Sequence, residues 1–228
     1  MKKQTFGLLL DQLIFQINSS MISLNKVIDL YKQNRKIMKQ RNLEEYEPED
    51  EFWIYLHSYA ISLSNIAKLF HPTGISDEKE FKRREENRRV FVEQFASNSN
   101  DLMKKYKHIA NKDLRNSLEH IDQRIEDFGK NDGIFLSLNR KIVPIDLLEG
   151  IQKVSLKVNG RIAKEKILNV SSLESFFYDP ENDDNDVYSA FGSDLRIQDT
   201  FLELDAMKEK AVEIMNKYNS GKLDILFD

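Results

Sequence analysis

The stretch that decides the fold is Asp113-Leu114-Arg115-Asn116-Ser117-Leu118-Glu119-His120-Ile121-Asp122-Gln123-Arg124-Ile125. Leu114, Leu118, Ile121, Ile125 and Phe128 recur at helical spacing and form one apolar stripe. At about 100° per residue, Arg115 and Glu119 stand on one flank of the polar face and His120 and Arg124 on the other. Asn116, Gln123 and Asp127 lie between them. An imidazole and a guanidinium are thus held beside a buried seam, a combination suited to chemistry on a phosphate.

Working outward, this helix is expected over about 101–128, with Asn98-Ser99-Asn100 before it and Gly129 and Gly133 ending it. Three helices are expected upstream. Over 6–41, Leu10, Leu13, Ile14, Ile17, Met21, Leu24, Ile28 and Tyr31 keep helical spacing, and a charged stretch before Pro48 ends the run. The seam is heptad-like and suits pairing with another helix, most simply within its own bundle. Over 50–70, Phe52, Trp53, Leu56, Ala60, Leu63, Ile66 and Leu69 mark a mostly apolar helix stopped by Pro72 and Gly74. Its polar strip of His57, Ser58, Ser62, Asn65 and Lys68 either lines a site beside Arg115 and His120 or forms an internal hydrogen-bond network. Over 77–96 the cations Lys79, Lys82, Arg83, Arg84, Arg88 and Arg89 alternate with as many acids. Glu80–Arg84 and Glu85–Arg89 are spaced for ion pairs one turn apart, so a braced, solvated face is expected there rather than a phosphate grip.

Downstream the pattern changes. Ile134 to Leu138 reads as a short strand. Gln152 to Val158 and Arg161 to Leu168 alternate around Asn159-Gly160, a strong hairpin turn signal. Residues 178–187 read as an acidic loop whose spacing does not fit a calcium site. A final amphipathic helix over about 196–218 uses Ile197, Phe201, Leu204, Met207, Val212 and Met215. The expected fold is mainly α: a four-helix bundle over 1–130, then 131–228 with a small antiparallel β insertion, the acidic loop and a C-terminal helix, packed together as one domain overall.

Length and composition agree. The 228 residues suffice for a substantial core, and cysteine is absent, which removes disulfides, thiolate nucleophiles and zinc-thiolate sites and fits a reducing cytoplasm. The apolar start near Phe6 is interrupted by Asp11, Gln12 and Gln16 and lacks a small-residue cleavage site, so no signal peptide and no membrane span is expected. Residues 1–170 carry 29 Lys and Arg against 24 Asp and Glu, whereas residues 171–228 carry 5 against 14. A mildly basic body with an acidic end meets a polyanion at a small site rather than along a groove. The histidines His57, His71, His108 and His120 are scattered without metal-ligand spacing, and there is no phosphate-cradling glycine loop, so neither metal nor cofactor is expected.

What remains is Arg115-Asn116-x-x-x-His120. An arginine followed directly by a polar residue, with histidine five positions after the arginine, resembles the signature of the HEPN superfamily, all-α domains that include many metal-independent endoribonucleases of defence and toxin systems. Leu114-Arg115-Asn116 through Glu119-His120-x-Asp122-x-Arg124 also looks like a bacterial branch with that core. Ser64 to Pro72 sits where such proteins have an earlier bundle helix. The likeness covers roughly 6–128.

The resemblance implies a HEPN-like four-helix bundle acting as a cytoplasmic homodimer on RNA. Its catalytic residues would be Arg115, Asn116 and His120, with Asn65, Lys68, Glu119, Asp122 and Arg124 as binding residues. It also implies an antitoxin or defence-system partner. The alternative is a non-catalytic HEPN-like module for dimerisation, nucleotide binding or adaptor work. In the purely structural version Arg115 bridges Glu119 and His120 caps a packing seam.

Overall fold

The computed structural model of the chain describes residues 1–71, 77–109, 140–144, 157–158, 161–162, 174–178, 186–190, 193–223 and 225. The described part is mainly helical with a small mixed sheet. In order come α1 (Lys3–Arg41), α2 (Asp50–Phe70), α3 (Glu78–Val92), α4 (Ser99–Lys105), β1 (Lys141–Pro144), β2 (Lys157–Val158), β3 (Arg161–Ile162), β4 (Glu174–Tyr178), β5 (Val187–Ala190), β6 (Ser193–Arg196) and α5 (Ile197–Asn219).

Local chemistry fixes the helix ends. Asn42 takes the left-handed conformation (φ 52°) just past α1, and the amides of Asn42 and Leu43 reach back to the carbonyls of Lys39 and Met38. Gly221 (φ 67°) closes α5 in the same way, with Lys222 bonded to Lys217. Both are Schellman stops, built on the residue types that tolerate positive φ. The Asp77 carboxylate accepts from the amides of Lys79 and Glu80 to start α3, and the Asn98 side chain accepts from Asp101 N to start α4.

The chain divides into two compact units. The first gathers Met1–Lys26, Tyr55–Arg115 and Asp199–Asp228. Its core joins the stripe of α1 (Phe6, Leu10, Leu13, Ile17) to Leu63 and Ile66 of α2 and Leu204, Met207, Ala211 and Ile214 of α5, all essentially inaccessible to water. Phe91, at the end of α3, is the hub of an aromatic cluster. Its ring lies 5.6 Å from Phe6, 5.3 Å from Phe70 and 5.4 Å from Phe95. Tyr218 of α5 stacks on Phe6 and crosses Gly7, where a Cβ would come within 2.6 Å of the Tyr218 hydroxyl. Glycine serves close approach there, not its φ, and a side chain at this position would displace the end of the Tyr218 ring.

The second unit gathers Val27–Ile54 and Asn116–Gln198. Its sheet runs β1-β4-β5-β6, with β1 parallel to β4 and the remaining pairs antiparallel. Phe176 of β4 packs against Tyr31 (5.1 Å) and Phe52 (5.5 Å). The Arg35 guanidinium lies 3.9 Å above the Tyr178 ring. The loop after α1 is tied to β1 by reciprocal backbone bonds between Tyr46 and Ile142 and by the Lys141–Glu45 ion pair at 2.7 Å.

Several expectations are corrected. The sheet is mixed rather than antiparallel, because β1 and β4 are separated by residues 145–173, long enough for the crossover that a parallel pair needs. Strands β5 and β6 fall between the acidic loop expected over 178–187 and the helix expected from about 196, where no element was expected. The helix expected over 101–128 is interrupted: α4 ends at Lys105, Tyr106 leaves helical geometry (φ −123°, ψ 55°), and Tyr106 to Ile109 form a turn. On α5, Val212 faces outward while Ala211 and Ile214 take the inward positions. The expected antiparallel pairing on either side of residues 159–160 is present, with Val158 paired to Arg161 and Lys157 to Ile162, while the expected turn at Asn159-Gly160 lies outside the described residues. The expected strand at 134–138 and residues 110–128 of the expected helix lie outside the described residues.

Deleting the hub of the aromatic cluster should be expensive. Phe91→Ala is expected to cost about 3–5 kcal/mol in chemical denaturation. Phe15→Ala, at a ring that is 62 % exposed, should fall within about 0.5 kcal/mol of wild type in the folding equilibrium of the monomer.

Candidate functional site

Of the candidate residues, Arg115, Asn116, Glu119, His120, Asp122 and Arg124 lie outside the described residues. Asn65 and Lys68 are placed, and both belong to the packing of α2 against its neighbours. The Asn65 amide donates to Gln16 Oε1 of α1 at 3.4 Å, and one turn earlier the Ser62 hydroxyl bonds to that of Ser19 at 3.1 Å. The Lys68 carbonyl accepts from Arg88 Nη1 of α3 at 2.8 Å. Of the strip's side chains, Ser62 and Asn65 are thus bonded to α1, whereas Lys68 takes part here through its backbone carbonyl.

The basic run on α3 is braced from within. Glu80 holds Arg83 and Arg84 at 2.8 and 2.7 Å, Lys82 pairs with Glu78, and Arg89 pairs with Glu86 and Glu93 rather than with the expected Glu85. The two arginine hydrogen bonds pull the Glu80 carboxyl down to about 2 from its ordinary 4.5. Arg88 instead turns inward; burial, and secondarily the Arg84 charge, lowers its pKa, and it ties the ends of α2 and α3 together. Such exposed pairs position side chains more than they stabilise the fold.

The most concentrated set of polar contacts among the described residues joins the turn after α4 to the first turns of α5. There the Glu203 carboxylate accepts from the amides of His108 (2.9 Å) and Ile109 (3.0 Å) and from His108 Nδ1 (2.8 Å). An ionised carboxylate only accepts, so Nδ1 carries the ring hydrogen. On the other edge of the ring, His108 Nε2 faces Asp199 Oδ2 at 3.6 Å, beyond hydrogen-bond length. Asp199 and Glu203 are one helical turn apart on α5, so both reach the same imidazole. The phenol of Tyr59, wholly buried on α2, interacts with Thr200 and feels the Glu203 charge. Burial pushes its pKa far above the usual range, with the neighbouring Thr200 side chain opposing the rise and the Glu203 charge adding to it, so it stays neutral.

Chemically this group is a clasp. Both carboxylate oxygens of Glu203 are occupied by backbone amides that a turn would otherwise leave unsatisfied, and the imidazole completes the arrangement. Sequence reading passed over it because His108 looked isolated. The one available signal was Asp199-x-x-x-Glu203, which has a meaning only once the His108 turn is seen beside it. Among the described residues no group of three or more His, Asp or Glu is placed to hold a metal ion, and no helix is long and apolar enough to cross a membrane.

Comparison of the chain with protein-family models, with curated proteins and with solved structures finds no match.

Two outcomes test this region. Glu203→Ala should cost about 2–4 kcal/mol, because it leaves two backbone donors without an acceptor. His108→Ala should cost less, and a double-mutant cycle by urea denaturation should return a clear coupling. Glu80 has a depressed pKa in the folded state, so its stabilisation of α3 should be complete above pH 4.5 and lost as pH falls toward about 2. A carboxylate NMR titration of Glu80, compared with one in high salt, reads this directly.

Proposed function

We propose that this chain is a metal-independent endoribonuclease of HEPN type, working in the cytoplasm as a homodimer whose helical part is a HEPN-like four-helix bundle. One observation carries the reading: Arg115-Asn116-x-x-x-His120 within an amphipathic segment of a mainly helical chain. RNA supplies its own nucleophile. His120 takes the proton from a 2′-hydroxyl, the freed oxygen attacks the adjacent phosphorus, and the bond to the 5′-oxygen breaks as that oxygen regains a proton. The products are a 2′,3′-cyclic phosphate and a 5′-hydroxyl. Arg115 stabilises charge gathering on the phosphorane-like transition state, and Asn116 orients His120 or contacts phosphate.

Within one helix, Arg115 and His120 diverge by about 140°. A second copy of the motif is therefore part of the proposal. RNA contacts fall to Glu119, Asp122 and Arg124, with Asn65 and Lys68 further away in sequence, and an antitoxin or defence-system partner would restrain the activity.

The test is cleavage of a mixed tRNA and mRNA pool in EDTA, with wild type and His120→Ala compared at matched folding and dimer content. A loss of roughly 10²-fold or more in the variant, with cyclic phosphate ends from the wild type, supports the reading. Equal cleavage by both sinks it. No cleavage by either favours the non-catalytic module, and a stable complex with another chain and no turnover favours a third reading, in which this chain is itself a helical antitoxin-like partner.

The acidic segment enters as a brake on non-specific RNA binding. Deleting 171–228 is no test of this, because α5 supplies Leu204, Met207, Ala211 and Ile214 to the first unit's core. Neutralising Asp179, Glu181 and Asp183 together should raise RNA affinity at low salt and much less at high salt. Unchanged affinity at low salt would remove the brake from the proposal.

A further inference from the structure

Helix α1 has two apolar stripes. The inward one is the core seam already described. The second is Leu8, Phe15 and Ile22, seven residues apart, each at least 60 % exposed, on the opposite side of the helix. A spacing of seven keeps them in one line along the axis, the seam geometry that a second helix fits. Helix α2 extends this face. The Ser62–Ser19 and Asn65–Gln16 hydrogen bonds show α1 and α2 running antiparallel, which places Ile61 level with residue 20, between Phe15 and Ile22. Ile61 lies on the outer flank of that bonded row, 52 % exposed, while Tyr59, Leu63 and Ile66 turn to the core.

We propose that this outer face of α1 and α2, built from Phe15, Ile22 and Ile61 with Leu8 at its rim, is where a second copy of the chain docks, antiparallel across a two-fold axis near Ser19. The charges choose both the occupant and the register. The stripe is flanked by Asp11 toward its N-terminal end and Lys26 toward its C-terminal end. With the axis between Phe15 and Ile22, Phe15 of each copy meets Ile22 of the other and Asp11 meets Lys26, twice by symmetry. A parallel pairing would instead set Asp11 against Asp11 and Lys26 against Lys26. Asp11, Lys26 and Asp29, the last continuing the seven-residue spacing beyond Ile22, are also not the basic rim that an anionic lipid surface attracts.

The area is sufficient. Four side chains more than half exposed on each copy remove on the order of 800 Å² of apolar surface, and the polar residues between them bring the contact to about 1,000 Å² or more. The proposal rests on the homodimer of the ribonuclease reading and assigns its face; its readout is mass, not activity, so a wild-type dimer whose Kd is unchanged in Phe15→Glu overturns this face and leaves the ribonuclease reading standing.

The test is sedimentation equilibrium of the full chain. Wild type is expected to be dimeric at micromolar concentration, and Phe15→Glu to raise the dimer Kd by roughly 10²-fold with helicity retained in circular dichroism. Ile61→Lys provides the same test on the other helix should Phe15→Glu lose helicity. Asp11→Lys and Lys26→Asp should each weaken the dimer, and the two together should restore Kd to within a few-fold of wild type. A monomeric wild type overturns the proposal, as does an unchanged Kd in the variant that stays folded. A double swap no tighter than its single parents overturns the antiparallel register. A monomer that co-sediments with anionic vesicles, losing that association in Phe15→Glu, would reassign the face to a membrane surface and overturn the proposal as well.

Discussion

A helix of 39 residues, about 58 Å long, cannot persist in water on its own hydrogen bonds; it must bury an apolar stripe over most of its length. That constraint on α1 organises what surrounds it. Over its first turns the stripe is covered by aromatic and aliphatic side chains of α2, α3 and α5, with Phe6 set against Phe91 and Tyr218. Further along, Tyr31 is covered by Phe176 from the central strands of the sheet. The same stripe is satisfied by helices in one unit and by a strand in the other, so the small sheet does for the end of α1 what the bundle does for its beginning.

Polar interactions then decide where the chain turns. Asn42 and Gly221 stop helices by accepting positive φ, and Asp77 and Asn98 start them by capping free amides. The Glu203 carboxylate extends the principle over a long sequence distance, supplying from α5 the acceptor that the turn at His108 and Ile109 lacks locally. This is why α4 can stop after seven residues without leaving the His108 and Ile109 amides unsatisfied. The clasp also explains why the acidic C-terminal quarter cannot be treated as a detachable tail.

Charge density by itself was a poor guide to function. Six cations on α3 suggest a phosphate grip, but Glu78, Glu80, Glu86 and Glu93 take up four of them (Lys82, Arg83, Arg84 and Arg89) in local pairs, and Arg88 turns toward the Lys68 carbonyl. The pairing itself depends on rotamers: Arg89 chooses Glu86 and Glu93 over Glu85, though all three are within one turn. Uncommitted recognition surface is marked instead by what burial leaves outside, as on the outer stripe of α1.

By itself the sequence determined the elements whose signals are local. The apolar periods of α1, α2 and α5, the strand pairing on either side of residues 159–160 and the starts of α3 and α4 each depend on residues within a few positions of one another, and it is there that expectation and structure agree. The arginine–histidine motif, also local, was legible as a motif, but what surrounds it in space is not written in its spacing. Tertiary structure alone decided the rest. The parallel pairing of β1 with β4, the break at Tyr106, the outward Val212 and the grip of Glu203 on His108 all depend on partners tens of residues away, and short strands such as β5 and β6 carry too few residues to announce themselves. A contact of that kind is chosen by which surfaces remain to be buried after the helices form, and no window of sequence contains both sides of it.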